Sequence, residues 1–295
     1  MVKIDTVIAV AGWEERFAKG LRLDVASNLP ARVFLFSFEE YLNETESGRK
    51  EVSKFAEENG ARYGEISVRR DPRALWRKIR ETFSPSDWSQ RSVLVDITTM
   101  PREVIWWTFS QLQAANCSVS YIYYRPTGYS SEWLTRDTDQ PRLVYQHSGV
   151  STFGKQTCLL LMSGFDTDRA AQLIQFFEPG AVLIGLQTGA QYDNLTKNVE
   201  QTKKLLERKP DIKFFDVDAF SPDHGLAAID GAISAYVGNF NIVAASLGPK
   251  PTAVALYFLQ RKHTDIALAY APSRQFNMSY SGGIGEALHG VVRDE

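Results

Sequence analysis

Two loops of the chain place a proline and then a base at the start of a predicted helix: Thr98-Thr99-Met100-Pro101-Arg102 and Ser246-Leu247-Gly248-Pro249-Lys250. A helix N-terminus presents unpaired N–H groups and a partial positive charge, so it suits an anion. A base in that first turn is disfavoured by a few tenths of a kcal/mol on the dipole argument, roughly. A bound anion offsets that cost, and Arg102 and Lys250 then become ligand contacts. The plainer alternative is that these bases are solvated, or pair with a neighbour such as Glu103. Thr98, Thr99 and Ser246 add hydroxyl donors. Gly248 suits a tight turn and a close approach of backbone, and the prolines suit a helix start. The chemistry these loops favour is the binding of a phosphate or nucleotide.

A second pair of loops matches across the chain. Gly12-Trp13-Glu14-Glu15-Arg16 and Gly164-Phe165-Asp166-Thr167-Asp168-Arg169 both read glycine, aromatic, acid, then arginine. Trp13 and Phe165 can stack on a base, an interaction of about 1–3 kcal/mol, or pack beneath their loops. The acids are ordinary partners of a helix start. Arg16 and Arg169 either reach a ligand or hold those acids. A third match sets Tyr124-Arg125-Pro126 beside Tyr270-Ala271-Pro272, followed by Tyr129-Ser130 and Tyr280-Ser281, with Arg274 near the second. The candidate ligand-binding set is therefore Gly12, Trp13, Arg16, Thr98, Thr99, Arg102, Tyr124 and Arg125, with Gly164, Phe165, Arg169, Ser246, Gly248, Lys250, Tyr270 and Arg274. Glu14, Glu15 and Asp96 are weak candidates for a general base. Asp216, Asp218, Asp223 and His224 read either as an acid–base set or as a surface loop capping a helix. A phosphate-binding GxxxxGK[ST] loop, a GxGxxG turn after the first strand and a GxSxG elbow are all absent from the sequence.

These loops need elements to position them. Apolar runs predict strands over Thr6–Ala11, Arg32–Phe36, Glu65–Val68, Val93–Ile97 and Ser118–Tyr123, then Thr157–Met162, Ala181–Leu186, Ile212–Asp216, Ile242–Ser246 and Ile266–Tyr270. Amphipathic stretches predict helices over Glu14–Ser27, Glu46–Asn59, Pro72–Phe83 and Arg102–Ala115, then Asp168–Phe177, Asn194–Arg208, Gly225–Val237 and Thr252–Lys262. Strict alternation implies parallel sheets with helices on both faces. The same loop motifs recur in the same order, so internal duplication is the best account. The predicted fold is α/β: two tandem Rossmann-like domains related by duplication and a pseudo-two-fold, 1–135 and 155–295, with a linker over 136–154. Loops after the first and fourth strands straddle the switch point of a doubly wound sheet, where ligands bind. They should lie side by side. Trp106-Trp107 reads as core or as a contact between halves, and Ser281-Gly282-Gly283-Ile284-Gly285 as a flexible glycine-rich tail.

Composition narrows the function classes. The 295 residues hold 33 Lys and Arg against 35 Asp and Glu, a formal charge of −2. A broad nucleic-acid binder shows a strong basic excess instead. Hydrophobic residues make up 44% and charged residues 23%, as in ordinary globular proteins. No apolar run approaches the ~20 residues of a membrane span, and no signal peptide is evident. The two cysteines, Cys117 and Cys158, form no CxxC pair, and the four histidines have no metal-type spacing. The expectation is a cytoplasmic protein with no metal and no cofactor.

The Rossmann-like order and the loops after strands one and four resemble the CRISPR-associated Rossmann-fold (CARF) sensor domains and their fused two-copy relatives, the SAVED domains of bacterial antiviral systems. In that family the second loop is a Thr/Ser/Gly-rich turn ending in a base, which Thr98, Thr99 and Arg102, and Ser246, Gly248 and Lys250, match here. The sequence departs from the pattern in Asp96, in the acidic Glu14-Glu15 loop and in Met100-Pro101. The resemblance implies a sensor subunit that binds a cyclic oligonucleotide second messenger in a cleft between the halves and acts on a protein effector partner. It implies neither a membrane nor a long nucleic acid as partner. The alternative is an enzyme in the same cleft, a nucleotide phosphodiesterase or hydrolase that cleaves the messenger.

Overall fold

A computed structural model describes residues 3–130, 132–188 and 212–293. The predicted helix Asn194–Arg208 lies outside the described residues. Two compact units partition the chain: unit 1 takes in Met1–Ser130 and Met278–Asp294, and unit 2 takes in Ser131–Asn277.

Unit 1 begins with β1 (Thr6–Val10), α1 (Glu15–Asn28), β2 (Arg32–Phe38), α2 (Leu42–Glu58) and β3 (Arg62–Val68). It continues through α3 (Pro72–Thr82), the short α4 (Pro85–Trp88), β4 (Ser92–Asp96), α5 (Arg102–Ala114), β5 (Ser118–Tyr124) and β6 (Gly128–Tyr129). Unit 2 follows with β7 (Thr135–Thr138), β8 (Arg142–Leu143), β9 (Thr157–Met162), α6 (Thr167–Phe177), β10 (Ala181–Gln187) and β11 (Ile212–Val217). Then come α7 (Leu226–Ile233), β12 (Asn241–Ser246), α8 (Lys250–Lys262), β13 (Ala267–Tyr270) and β14 (Ser273–Phe276). The chain ends in β15 (Ser281–Gly282) and β16 (Ala287–Val292), both part of unit 1.

Each unit has a six-stranded sheet. The orders are β16-β5-β4-β1-β2-β3 and, read the same way, β8-β13-β12-β9-β10-β11. Five strands of each are parallel, and the sixth, β16 or β8, is antiparallel. The repeated order is that of two tandem Rossmann-like domains. All five residues of β1 and of β4 are buried, as expected for strands covered on both faces. The edge strands β3 and β11 are mostly half-exposed or exposed. In unit 1 the core gathers Val7, Ala9, Phe17, Leu21, Val33, Leu35 and Leu94. Leu159, Leu161, Leu173, Val182, Ile184 and Val243 do the same in unit 2.

The five-strand expectation for each half gains its sixth strand from an unexpected place. β8 follows β5 in sequence yet pairs with β13, and β16 follows β13 yet pairs with β5. The residues between them follow suit: β6 pairs with β15, and β7 pairs with β14. The stretch read as a flexible tail is thus held, with Ser281 opposite Tyr129. Gly290 of β16 lies opposite Tyr121, where a Cβ would fall 2.1 Å from the tyrosine ring.

Helix ends follow local chemistry. Asp71 caps α3 by accepting the Ala74 N–H at 2.7 Å, with Pro72 in the first turn. Asp166 caps α6 through the Arg169 N–H at 3.2 Å. Helix α5 is buried nearly all round, Trp106 and Trp107 included, and α8 is buried without a break from Pro251 to Tyr257.

Candidate functional site: the loop edges of the two sheets

In unit 1 the loops after β1 and β4 touch. A Cβ on Gly12 would lie 2.6 Å from Thr99 Cγ2, so only glycine lets Thr99 approach. The Thr99 hydroxyl donates to the Val10 carbonyl at 2.6 Å, tying the loop to the end of β1. Thr98 is fully buried: its N–H donates to Asp96 Oδ1 at 2.8 Å and its hydroxyl accepts the Tyr124 N–H at 3.0 Å. These hydroxyls brace the loop edge from within. Arg102, half-buried, opens α5 directly after Pro101. Arg125 is half-buried and faces Glu286 at 3.6 Å.

Unit 2 repeats the arrangement with backbone against backbone. A Cβ on Gly164 would fall 2.1 Å from the Leu247 carbonyl oxygen, and one on Gly248 would fall 2.5 Å from that of Ser163. The expected close approach at Gly248 is therefore real, and it is mutual. Lys250, half-buried, opens α8 after Pro249. Pro101 and Pro249 adopt the same extended conformation, φ −59° and ψ 146° against φ −56° and ψ 148°. Pro251 in the first turn of α8 has no N–H, so this helix start offers one donor fewer than α5. The Ser246 hydroxyl lies 2.8 Å from that of Thr252, linking β12 to α8.

Arg16 and Arg169 play matching parts. Arg16 is 4% exposed. It donates to the Tyr124 carbonyl at 2.7 Å, to Glu14 and to Ser281 Oγ at 3.3 Å, and lies 5.8 Å from the centre of the Tyr123 ring. Burial opposes its charge, but Glu14 and Tyr123 outweigh that and hold its pKa above the ordinary value. Arg169, also 4% exposed, donates to the Ala271 carbonyl, lies 3.8 Å from Asp166 and sits 5.9 Å from the Tyr270 ring centre. Each arginine thus holds its loop's acid and the end of its unit's fifth strand. The shared pattern aligns Tyr123 with Tyr270 and Tyr124 with Ala271. The sequence match that set Tyr124 beside Tyr270 is off by one residue.

The remaining candidates are placed as follows. Trp13, half-buried, meets the Tyr41 ring edge-on at 5.1 Å, and Arg70 donates to the Tyr41 hydroxyl at 2.7 Å. Phe165 is half-buried. Tyr270 is half-buried, with the Arg142 guanidinium 5.2 Å from its ring centre. Arg274 is exposed and donates to Asp139 at 3.2 Å. Glu15 is exposed and pairs with Lys19 one turn on. Asp96 is 2% exposed and points into the protein rather than to solvent.

Beside Asp96 lies a residue the sequence reading missed. Asp24, 1% exposed, accepts the Tyr124 hydroxyl at 2.7 Å. The Tyr124 ring packs over Gly20, whose Cβ would fall 2.7 Å from it. Burial, and then the nearby Asp96, hold the Asp24 carboxyl well above the usual carboxylate range, against the Tyr124 hydrogen bond. An acid within the buried stripe Phe17, Leu21, Asp24, Val25 was the available signal.

The Asp218–His224 loop is a capping structure. Asp223 accepts the N–H groups of Gly225 at 3.0 Å and Ala227 at 2.9 Å at the start of α7. His224 is buried with Nδ1 3.0 Å from the Ala219 carbonyl oxygen, and burial lowers its pKa. Among the described residues no group of three His, Cys, Asp or Glu side chains is placed to hold a metal, and no helix is long and apolar enough to cross a membrane.

No protein-family model matches the chain, and no curated protein matches it. Among solved structures, the chain is similar to a type III CRISPR defence DNA nuclease activated by cyclic oligoadenylate, with TM-score 0.54 and 8% identity. That match covers 86% of this chain and 63% of the nuclease chain, so this chain spans less than two thirds of the nuclease's length. At that identity the likeness is one of fold. The cytoplasmic domain of a prokaryotic cation chloride cotransporter (TM-score 0.32, 13% identity, covering 92% and 96% of the two chains) matches more loosely. So does a universal stress protein from Archaeoglobus fulgidus (TM-score 0.29, 10% identity, covering 92% and 97%).

Proposed function

We propose that the chain is a nucleotide sensor that binds a cyclic oligonucleotide, of the oligoadenylate class, at the loop edges of its two sheets. The observation that carries this reading is the repeated helix start: Pro101-Arg102 and Pro249-Lys250 each place a base at the N-terminus of a 13-residue helix. Each lies at the strand ends where doubly wound sheets take ligands. The fold it shares with a nuclease activated by cyclic oligoadenylate supports the choice of ligand class. Ligand phosphates meet helix N–H groups and the two bases, and binding is passed to a protein effector.

Titration calorimetry with cyclic di-, tri- and tetranucleotides tests the reading. Binding of an adenylate ring is the expected result. Arg102→Ala and Lys250→Ala should each weaken it by about 10- to 150-fold, the range of a hydrogen bond to a charged group. Weakening with added salt should accompany it. No heat with any ring at micromolar protein overturns the reading. A stoichiometry of one ligand per chain indicates a shared site, and two indicates independent ones.

A further inference from the structure

Gln187 ends β10 and is 6% exposed, yet neither its amide nitrogen nor its amide oxygen has a hydrogen-bond partner among the described residues. An unsatisfied buried polar group costs about 1–3 kcal/mol, and native proteins keep few of them. The amide lies at the start of α8: a Cβ on Gly248 would fall 3.2 Å from Gln187 Nε2 and 3.5 Å from Cδ. Glycine at 248 therefore leaves room for the amide just before Pro249 and Lys250, where both of its polar atoms are buried. A helix start that suits an anion and an uncommitted amide occur in one place.

The chemistry of the amide says which part of a ligand it meets. A phosphate offers acceptors only and would leave the amide oxygen facing other oxygens. A nucleobase edge with an N–H donor beside a ring-nitrogen acceptor matches donor to acceptor in one plane. Adenine presents that edge at N6 and N7, and glutamine pairs with it through two hydrogen bonds. Unit 1 does not repeat the feature. Ala11 donates to the Phe36 carbonyl as Ser163 does to that of Gly185, at 2.8 and 2.9 Å, which sets Phe38 in the place of Gln187.

We propose that Gln187 is a specificity residue, pairing its amide with the N6–N7 edge of an adenine in the ligand bound at the α8 end of unit 2. The assignment rests on the nucleotide-binding reading above. Unit 2 then reads a base at this position, and unit 1 does not.

The test is calorimetry on the full chain with cyclic di-, tri- and tetra-adenylate and with the same rings built from purine riboside, which lacks the N6 amino group. Wild-type protein should prefer adenine over purine by about 5- to 150-fold, the discrimination a two-bond amide–base pair gives. Gln187→Leu and Gln187→Met should lose that preference, because neither side chain carries an amide oxygen to accept from the N6 amino group. The leucine variant should melt at or above the wild-type temperature, because it removes two unpartnered polar atoms. Variants that keep the wild-type preference overturn the assignment while leaving nucleotide binding intact. A leucine variant that melts below wild type also overturns it, since the amide then has a structural role. Failure of the wild type to bind any ring instead removes the functional reading on which the assignment rests.

Discussion

Gly164→Ala is the sharpest test of the loop crossing in unit 2. The added methyl would stand 2.1 Å from the Leu247 oxygen, 2.7 Å from its carbon and 3.1 Å from Gly248 Cα. Carbon and oxygen need well over 3 Å, so one strand end must move by roughly 1 Å. Neither end is free to do so. Leu247 and Gly248 both donate to the Met162 carbonyl, at 2.9 and 3.1 Å, and Ser163 donates to Gly185 at 2.9 Å. Overpacking costs typically 1–3 kcal/mol, and a clash with hydrogen-bonded backbone belongs at the upper end, about 3 kcal/mol. For 150–250 residues each kcal/mol moves the melting point by about 2–4 °C, so a fall of about 6–12 °C is expected. The control is Gly231→Ala within α7, whose Cβ would meet nothing within 4 Å. Alanine there gains about 0.8–1 kcal/mol of helix propensity and should raise the melting point by about 2–4 °C. Both are read by calorimetric scans on purified variants. A Gly164→Ala protein that melts with the wild type would show that the two loops do not cross as described.

Other predictions follow from the buried charges. Arg16→Met and Arg169→Met each strand a strand-end carbonyl and a loop acid, and each should cost about 1.5–3 kcal/mol in denaturant titration; wild-type stability in both would deny the bracing role. Asp24 gives a pH signature. Its folded pKa is raised, so the folded state binds more protons than the unfolded state above the usual aspartate range. Stability must therefore fall as pH rises through that window, by at most about 1.4 kcal/mol per pH unit. Asp24→Asn should flatten that slope, and urea titrations between pH 4 and 8 that give parallel curves for both proteins would sink the argument.

The alternation of strands and helices was legible because strands such as β1 and β4 are buried apolar runs, each followed by a helical stretch. Loop proximity was legible too, from the place of these loops after the first and fourth strands of a doubly wound sheet, and Gly248 marked a close approach of backbone. That Gly12 and Gly164 also sit where a side chain would collide shows only in the structure. Other features depend on contacts distant in sequence. β16 reads Ala-Leu-His-Gly-Val-Val, and its glycine breaks the strand signal for the sake of the Tyr121 ring opposite. The role of Arg16 turns on a carbonyl 108 residues away. Gln187 is unremarkable as a polar residue ending a strand, and only its burial without a partner among the described residues sets it apart.

The exchange of edge strands also orders events during synthesis. Unit 2 gains β8 before its own parallel strands have been made, so its antiparallel edge is waiting when β13 arrives. Unit 1 has β5 in place by residue 124 but receives β16 only at residues 287–292. Until then the emerging chain carries an open strand edge able to pair with other chains. The first unit to leave the ribosome is therefore the last to close, and chaperones that shield strand edges have their longest opportunity on the half made first.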